Sequence, residues 1–81
     1  MNVMKIFGYS QEHPDCLQDM REISFQITPS DLLRVAAFLR DAAHAIEKNP
    51  NIDHIHLRDE LSGWSETLPD IVVAPFSPCS K

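Results

Sequence analysis

Apolar and polar residues alternate most strictly between Arg21 and Thr28 (REISFQIT). Ile23, Phe25 and Ile27 fall on one side of an extended chain, and Glu22, Ser24, Gln26 and Thr28 on the other. A period of two predicts a strand with one apolar face and one face that is wet or covered by a polar partner. Met4 to Tyr9 (MKIFGY) is short, apolar and aromatic, and predicts an earlier strand with Gly8 near its end. Between them, Ser10 to Met20 is polar, contains Pro14 and reads as a loop. At about eleven residues it is long for a hairpin connection, and long loops in compact domains are often functional.

After Thr28 the period changes to that of a helix. In T-P-S-D, Thr28 is placed to cap, Pro29 suits the first helical position, and Asp31 follows three residues after the cap. Its carboxylate also favours the positive end of the helix dipole. The pattern predicts a helix through PSDLLRVAAFLRDAAHAIEK, with Leu32, Val35, Ala36, Leu39, Ala43 and Ile46 as the core stripe, widened by Phe38 and Ala42. Arg34, Asp41 and Lys48 lie opposite. Asn49 suits a left-handed C-terminal position, and Pro50 forbids continuation.

Ile52 to Asp59 then reads as a third strand and Asp70 to Ala74 as a fourth, ended by Pro75. Glu60 to Pro69 is the connecting loop, with Gly63 at its middle. The expected fold class is α+β, in the order β-β-α-β-β. One amphipathic helix packs on one face of a four-stranded, mainly antiparallel sheet. The expected domain spans residues 1–75, and residues 76–81 (FSPCSK) read as a flexible tail. One helix covers one face of such a sheet, so the second face is expected to be open.

The stretch from Ile52 to Val73 holds the groups most suited to chemistry or recognition. His54 and His56 are two apart on a predicted strand and share a face. Ile55 and Leu57 are the apolar residues that seek the helix, so His54, His56 and Arg58 are expected on the open face beside Glu22, Ser24 and Gln26. H-x-H can supply two metal ligands, with a third from His13, His44 or a carboxylate. Catalytic zinc sites typically use three protein ligands, and only two are in register here. Surface histidines serving recognition are therefore the stronger reading, and a metal-binding module or metal-dependent enzyme built on His54 and His56 is the alternative. Asp59 and Glu60 diverge in an extended chain and do not form the shared pocket of an acid–base pair. Trp64, beside Gly63, either caps the core or anchors an interface. Cys16 near His13, and Ser62 and Ser65 near Trp64, lack the turn and oriented base of an acyl-transfer nucleophile. With two glycines in the chain there is no phosphate-binding loop.

Bulk properties narrow the classes further. The formal net charge is −5, and the seven Lys and Arg residues are scattered, which argues against nucleic acid. An acidic surface suits a basic protein partner. No segment approaches the roughly 18 apolar residues of a membrane span, and no signal peptide is visible. Cytoplasmic location with reduced thiols is the expectation, and a Cys16–Cys79 bridge is disfavoured. Neither a cofactor nor a resident metal is expected. At 81 residues one core rarely supplies more than roughly 3–5 kcal/mol of net stability, so an open sheet face or edge is also a ready homodimer surface.

A helix reading LLRVAAFLRDAAHAIE, then DHIHLRDEL, a tryptophan and PDIVV together resemble a small bacterial family, immunity protein 32 of polymorphic toxin systems. The resemblance rests on Leu39, His54, His56, Leu57, Arg58, Trp64, Pro69, Asp70, Ile71 and Val72. It covers the C-terminal two-thirds of the chain, from the helix onward, and leaves Ser10–Met20 unmatched. It implies an α+β fold and a non-enzymatic role of binding and neutralising a cognate toxin. It brings no catalytic or binding residues with it.

Overall fold

The computed structural model describes residues 4–76. Its centre is the helix α1, Pro29–Lys48, with the boundaries the capping signal predicts. Thr28 is extended (φ −70°, ψ 154°), and its hydroxyl accepts from the Asp31 N–H at 3.3 Å. That satisfies one of the donors a helix start leaves open. At the other end Asn49 is not left-handed: its φ is −141°, and its N–H closes the last turn on the Ala45 carbonyl at 2.9 Å.

The chain before α1 differs from expectation. Strand β1 is Phe7–Tyr9, inside the predicted segment, and it pairs antiparallel with a second strand, β2, Leu17–Asp19. The segment read as a loop is therefore a hairpin with a shorter turn. In that turn Ser10 Oγ accepts from the His13 N–H at 2.9 Å, and the Cys16 N–H donates to the His13 carbonyl at 3.1 Å. Residues 22–28, the most regularly alternating stretch, join no ladder among the described residues. Alternation gives a strand two distinct faces but no partner edge, and here β1 and β2 pair with each other and β3 pairs with β4.

After α1, β3 is Ile55–His56 and β4 is Val72–Val73, paired antiparallel with Ile55 opposite Val73 and His56 opposite Val72. The expected strand over Ile52–Asp59 is cut short because the chain turns helical at α2, Leu57–Glu60. The Leu57 N–H donates to the Ile71 carbonyl at 2.8 Å, and the Leu57 carbonyl accepts from the Leu61 N–H at 3.0 Å. Four-residue spacing puts Leu57 and Leu61 on one side, both in the core. The fold is thus α+β with one main helix and two separate two-stranded antiparallel sheets, in place of the single four-stranded sheet expected.

The core lies between α1 and the C-terminal segment. Val35, Phe38, Ala42 and Leu57 are buried, with Leu57 fully so. Ile27, Ile55, Leu61, Trp64, Ile71 and Val73 pack around Val35, Phe38 and Leu57. The helical stripe is rotated from the predicted one: Leu32, Ala36, Leu39 and Ala43 are exposed, while Phe38 and Ala42 are central. The two-strand pair and α2 reach across only part of the helix's apolar arc. No helix among the described residues is long and apolar enough to cross a membrane. The tail expected over residues 76–81 and the residue Cys79 lie outside the described residues, except for Phe76, which is exposed.

Candidate functional site

His54, His56 and Arg58 follow one another at the C-terminal sheet, and the structure brings the first two together as their spacing requires. Their ring centroids are 4.8 Å apart in an edge-to-face arrangement. Leu57, between His56 and Arg58, is sealed in the core, as the expected facing demands. Each imidazole uses Nδ1 on a carboxylate. His54 Nδ1 lies 2.5 Å from Asp53 Oδ2, and His56 Nδ1 lies 2.7 Å from Asp70 Oδ2. An ionised carboxylate only accepts, so Nδ1 carries the proton in each ring and Nε2 is left for another partner.

Asp70 organises the group. Its Oδ1 accepts from the Arg58 N–H at 3.0 Å and from its own chain neighbour, the Ile71 N–H, at 2.9 Å. Its side chain is 19% exposed. Partial burial pushes the Asp70 carboxyl up. The hydrogen bonds from His56, Arg58 and Ile71, with the charge on His56, outweigh that push and hold it below the usual carboxylate range. Sequence reading placed Asp70 at the start of a strand and among the residues of the family resemblance, and did not single it out as a site residue. The available signal was its place after Pro69 and before a β-branched run, where an Asp side chain readily accepts from the adjacent backbone.

The Glu60–Pro69 loop closes the other side. Gly63 takes φ +81°, the one left-handed position among the described residues, which a residue with a Cβ reaches only under strain. Trp64 packs against the core, which favours the capping role, and its indole N–H donates to the Pro69 carbonyl at 3.1 Å. The Arg34 guanidinium sits 5.7 Å from the Trp64 ring centroid and donates to the Ser62 carbonyl at 2.8 Å. Arg34 is thus a loop clamp, although the helical pattern placed it on the outer face. The Arg58 guanidinium donates to the Leu68 carbonyl at 2.8 Å. Asp59, expected to end a strand, and Glu60, expected to open the loop, both sit in the α2 turn.

Glu22, Ser24 and Gln26 are not neighbours of the histidines in a sheet. β3 pairs only with β4, and residues 21–26 are exposed with no hydrogen bond to His54, His56 or Arg58 among those described. The predicted surface therefore divides in two: a pinned histidine–arginine cluster, and a separate exposed arm.

The cluster's chemistry is limited by its members. His56 and Asp70 form an oriented imidazole–carboxylate pair, yet among the described residues no hydroxyl or thiol bonds to either histidine. Ser65 Oγ is 2.8 Å from Thr67 Oγ1, and Cys16 is exposed on the distant hairpin. Nor does any group of three or more His, Cys, Asp or Glu side chains among the described residues form a metal-ligand set. A groove between α1 and residues 52–61, lined by Phe38, Asp41, Ile55 and Glu60 among others, does not include His54, His56 or Arg58. His44 is solvated on α1, 3.4 Å from Glu47. No family model, curated protein or solved structure matches this chain.

Proposed function

We propose that this chain is a non-catalytic protein-binding domain, of the kind that neutralises a cognate toxin in the bacterial cytoplasm. The carrying observation is the threefold grip of Asp70 on the His56 ring, the Arg58 N–H and the Ile71 N–H. It fixes the His56 imidazole and the Arg58 backbone before any partner arrives, and Asp53 holds the neighbouring His54 ring. Pre-ordering of this kind lowers the entropic cost of association. A nucleophile or a third metal donor is what the same geometry would need for catalysis, and among the described residues the cluster holds neither. The net charge of −5 adds long-range attraction for a basic partner, and the His-Leu-Arg and Pro-Asp-Ile-Val runs support the immunity-type reading.

The test is binding to the purified product of the adjacent gene. His54→Ala with Arg58→Ala is expected to weaken that complex at least tenfold while the helical circular dichroism stays unchanged. An adjacent gene that encodes no toxin-like protein, together with no binding by its product, overturns the reading.

A further inference from the structure

The N-terminal part of the chain is built as though something lies against it. None of residues 4–26 belongs to the core cluster. The β1–β2 register sets Tyr9 opposite Leu17 and Phe7 opposite Asp19, so Phe7, Tyr9 and Leu17 share one hairpin face, with the Asp19 carboxylate at its end. That face is turned to solvent, with the three side chains 52%, 63% and 54% exposed. The arm that follows exposes Ile23 and Phe25 as well. An isolated two-stranded hairpin is marginal in water, and this one places none of its side chains in the described core cluster.

The surface area points the same way. A folded monomer of this 9.2 kDa mass exposes about 4,900 Å². This chain exposes 7134 Å². Counting the eight residues outside 4–76 as wholly solvated still leaves an excess of more than about 1,000 Å² per chain. A stable dimer of standard size buries about 800 Å² on each partner.

We infer that residues 4–27 are a self-association arm whose occupant is a second copy of this chain. Residues 22–27 are extended in pattern, contain no proline and sit in no described ladder, so their edge is free to accept a strand. Antiparallel pairing about a two-fold axis at Ser24 sets Ile23 opposite the second copy's Phe25, and Glu22 opposite its Gln26. No like charges meet in that register, and a two-fold contact of identical patches closes on itself. Within residues 21–28 the only charges, Arg21 and Glu22, cancel, whereas the hairpin before them sets Lys5 against Glu12, Asp15 and Asp19, and the whole chain carries −5. Repulsion between two acidic copies therefore opposes the contact, and salt relieves it. The outward face of the hairpin is buried in the same association. This surface is separate from the histidine–arginine cluster, so the inference stands or falls independently of the proposed function.

Sedimentation equilibrium from 1 to 100 µM is the test, with untagged full-length chain at low and moderate salt. The expected result is a monomer–dimer equilibrium that tightens with added salt. Phe25→Asp is expected to raise the dissociation constant about a hundredfold or more, and Ser24→Pro, which removes a ladder donor, to do the same. Leu33→Asp, at a side chain 72% exposed on α1 outside the arm, is expected to leave it unchanged. A wild-type monomer at 100 µM overturns the inference, as does unaltered dimerisation of Phe25→Asp. The arm variants keep the helical signal, because their side chains are outside the core. Loss of that signal in Phe25→Asp would put Phe25 in the core and equally overturn the assignment.

Discussion

Replacing Asp70 by alanine removes one acceptor from three donors at once. The Arg58 and Ile71 N–H groups lose a partner at 3.0 and 2.9 Å, and the His56 ring loses one at 2.7 Å. A hydrogen bond to a charged group is worth about 1.5–3 kcal/mol net, and His56 is open enough for water to replace part of its share. The expected loss is about 2–3 kcal/mol. That is a large fraction of the roughly 3–5 kcal/mol available to a core of this size. At about 4–8 °C per kcal/mol, thermal melting by circular dichroism should fall by at least about 10 °C at fixed protein concentration. Asp70→Asn separates the contributions. Its carbonyl oxygen still accepts from both backbone donors, so the loss is expected near 1 kcal/mol. The variant also removes a titration. The folded Asp70 carboxyl is held below its ordinary value, so its stabilisation is complete above the unfolded value of about 4 and disappears as pH falls through the folded one. Urea midpoints measured from pH 7 to pH 3 should therefore fall less steeply for Asp70→Asn than for the wild type. A melting temperature for Asp70→Ala within 2 °C of wild type would refute the pinning argument.

Leu57→Ala empties a fully buried site and is expected to cost about 2–5 kcal/mol, leaving a largely unfolded chain at 37 °C by circular dichroism. Gly63→Ala meets no atom within 4 Å, so its cost comes only from the backbone at φ +81°. About 1 kcal/mol is expected from urea unfolding, with Trp64 fluorescence reporting the loop, and an unchanged midpoint would contradict the left-handed turn. Zinc added in tenfold excess to untagged protein should move the melting temperature by less than about 1 °C, since mass action stabilises only a state that binds. A shift of several degrees, lost in His54→Ala, would revive the metal-site alternative.

What the sequence made legible was local. The helix is where the capping signal put it, because Thr28, Pro29 and Asp31 act on backbone within four residues. His54 and His56 meet, and Leu57 is buried, because a two-residue period fixes relative facing over so short a distance. Pairing was not legible. Arg21–Thr28 has the best alternation in the chain and no ladder, while Leu17–Asp19, with no alternation worth the name, supplies β2. Which edges meet depends on contacts distant in sequence, and a period carries no record of them. The end of β3 was legible in retrospect: from Leu57 to Leu61 the apolar spacing changes from two to four, the signature of a helical turn. For the candidate site, the histidines and Arg58 could be named from the sequence. Asp70, which holds His56 and the Arg58 N–H, depends on contacts 12 and 14 residues away.

The rotated helical stripe explains why so much apolar surface remains. α1 carries apolar residues over a wide arc: Val35, Phe38 and Ala42 on one side, Leu32, Ala36, Leu39 and Ala43 on the other. A sheet of four strands would span that arc. Two residues of β3, two of β4 and the α2 turn span only the first part, and they do so with the bulkiest groups available: Ile55, Leu57, Leu61, Trp64 and Val73. Strands that would have covered the rest exist in the chain, but they pair with each other as β1–β2 and stand outside the core. Rejoining the helix would require the hairpin and the 21–28 arm to order against a surface of alanines and two leucines, which bury little area per residue against the backbone entropy of ordering them. In the dimer we infer, contact between two copies would bury Phe7, Tyr9 and Phe25 for the same ordering cost. The apolar imbalance of the monomer and that inferred association would then both follow from one sequence feature, the small residues at positions 36 and 43.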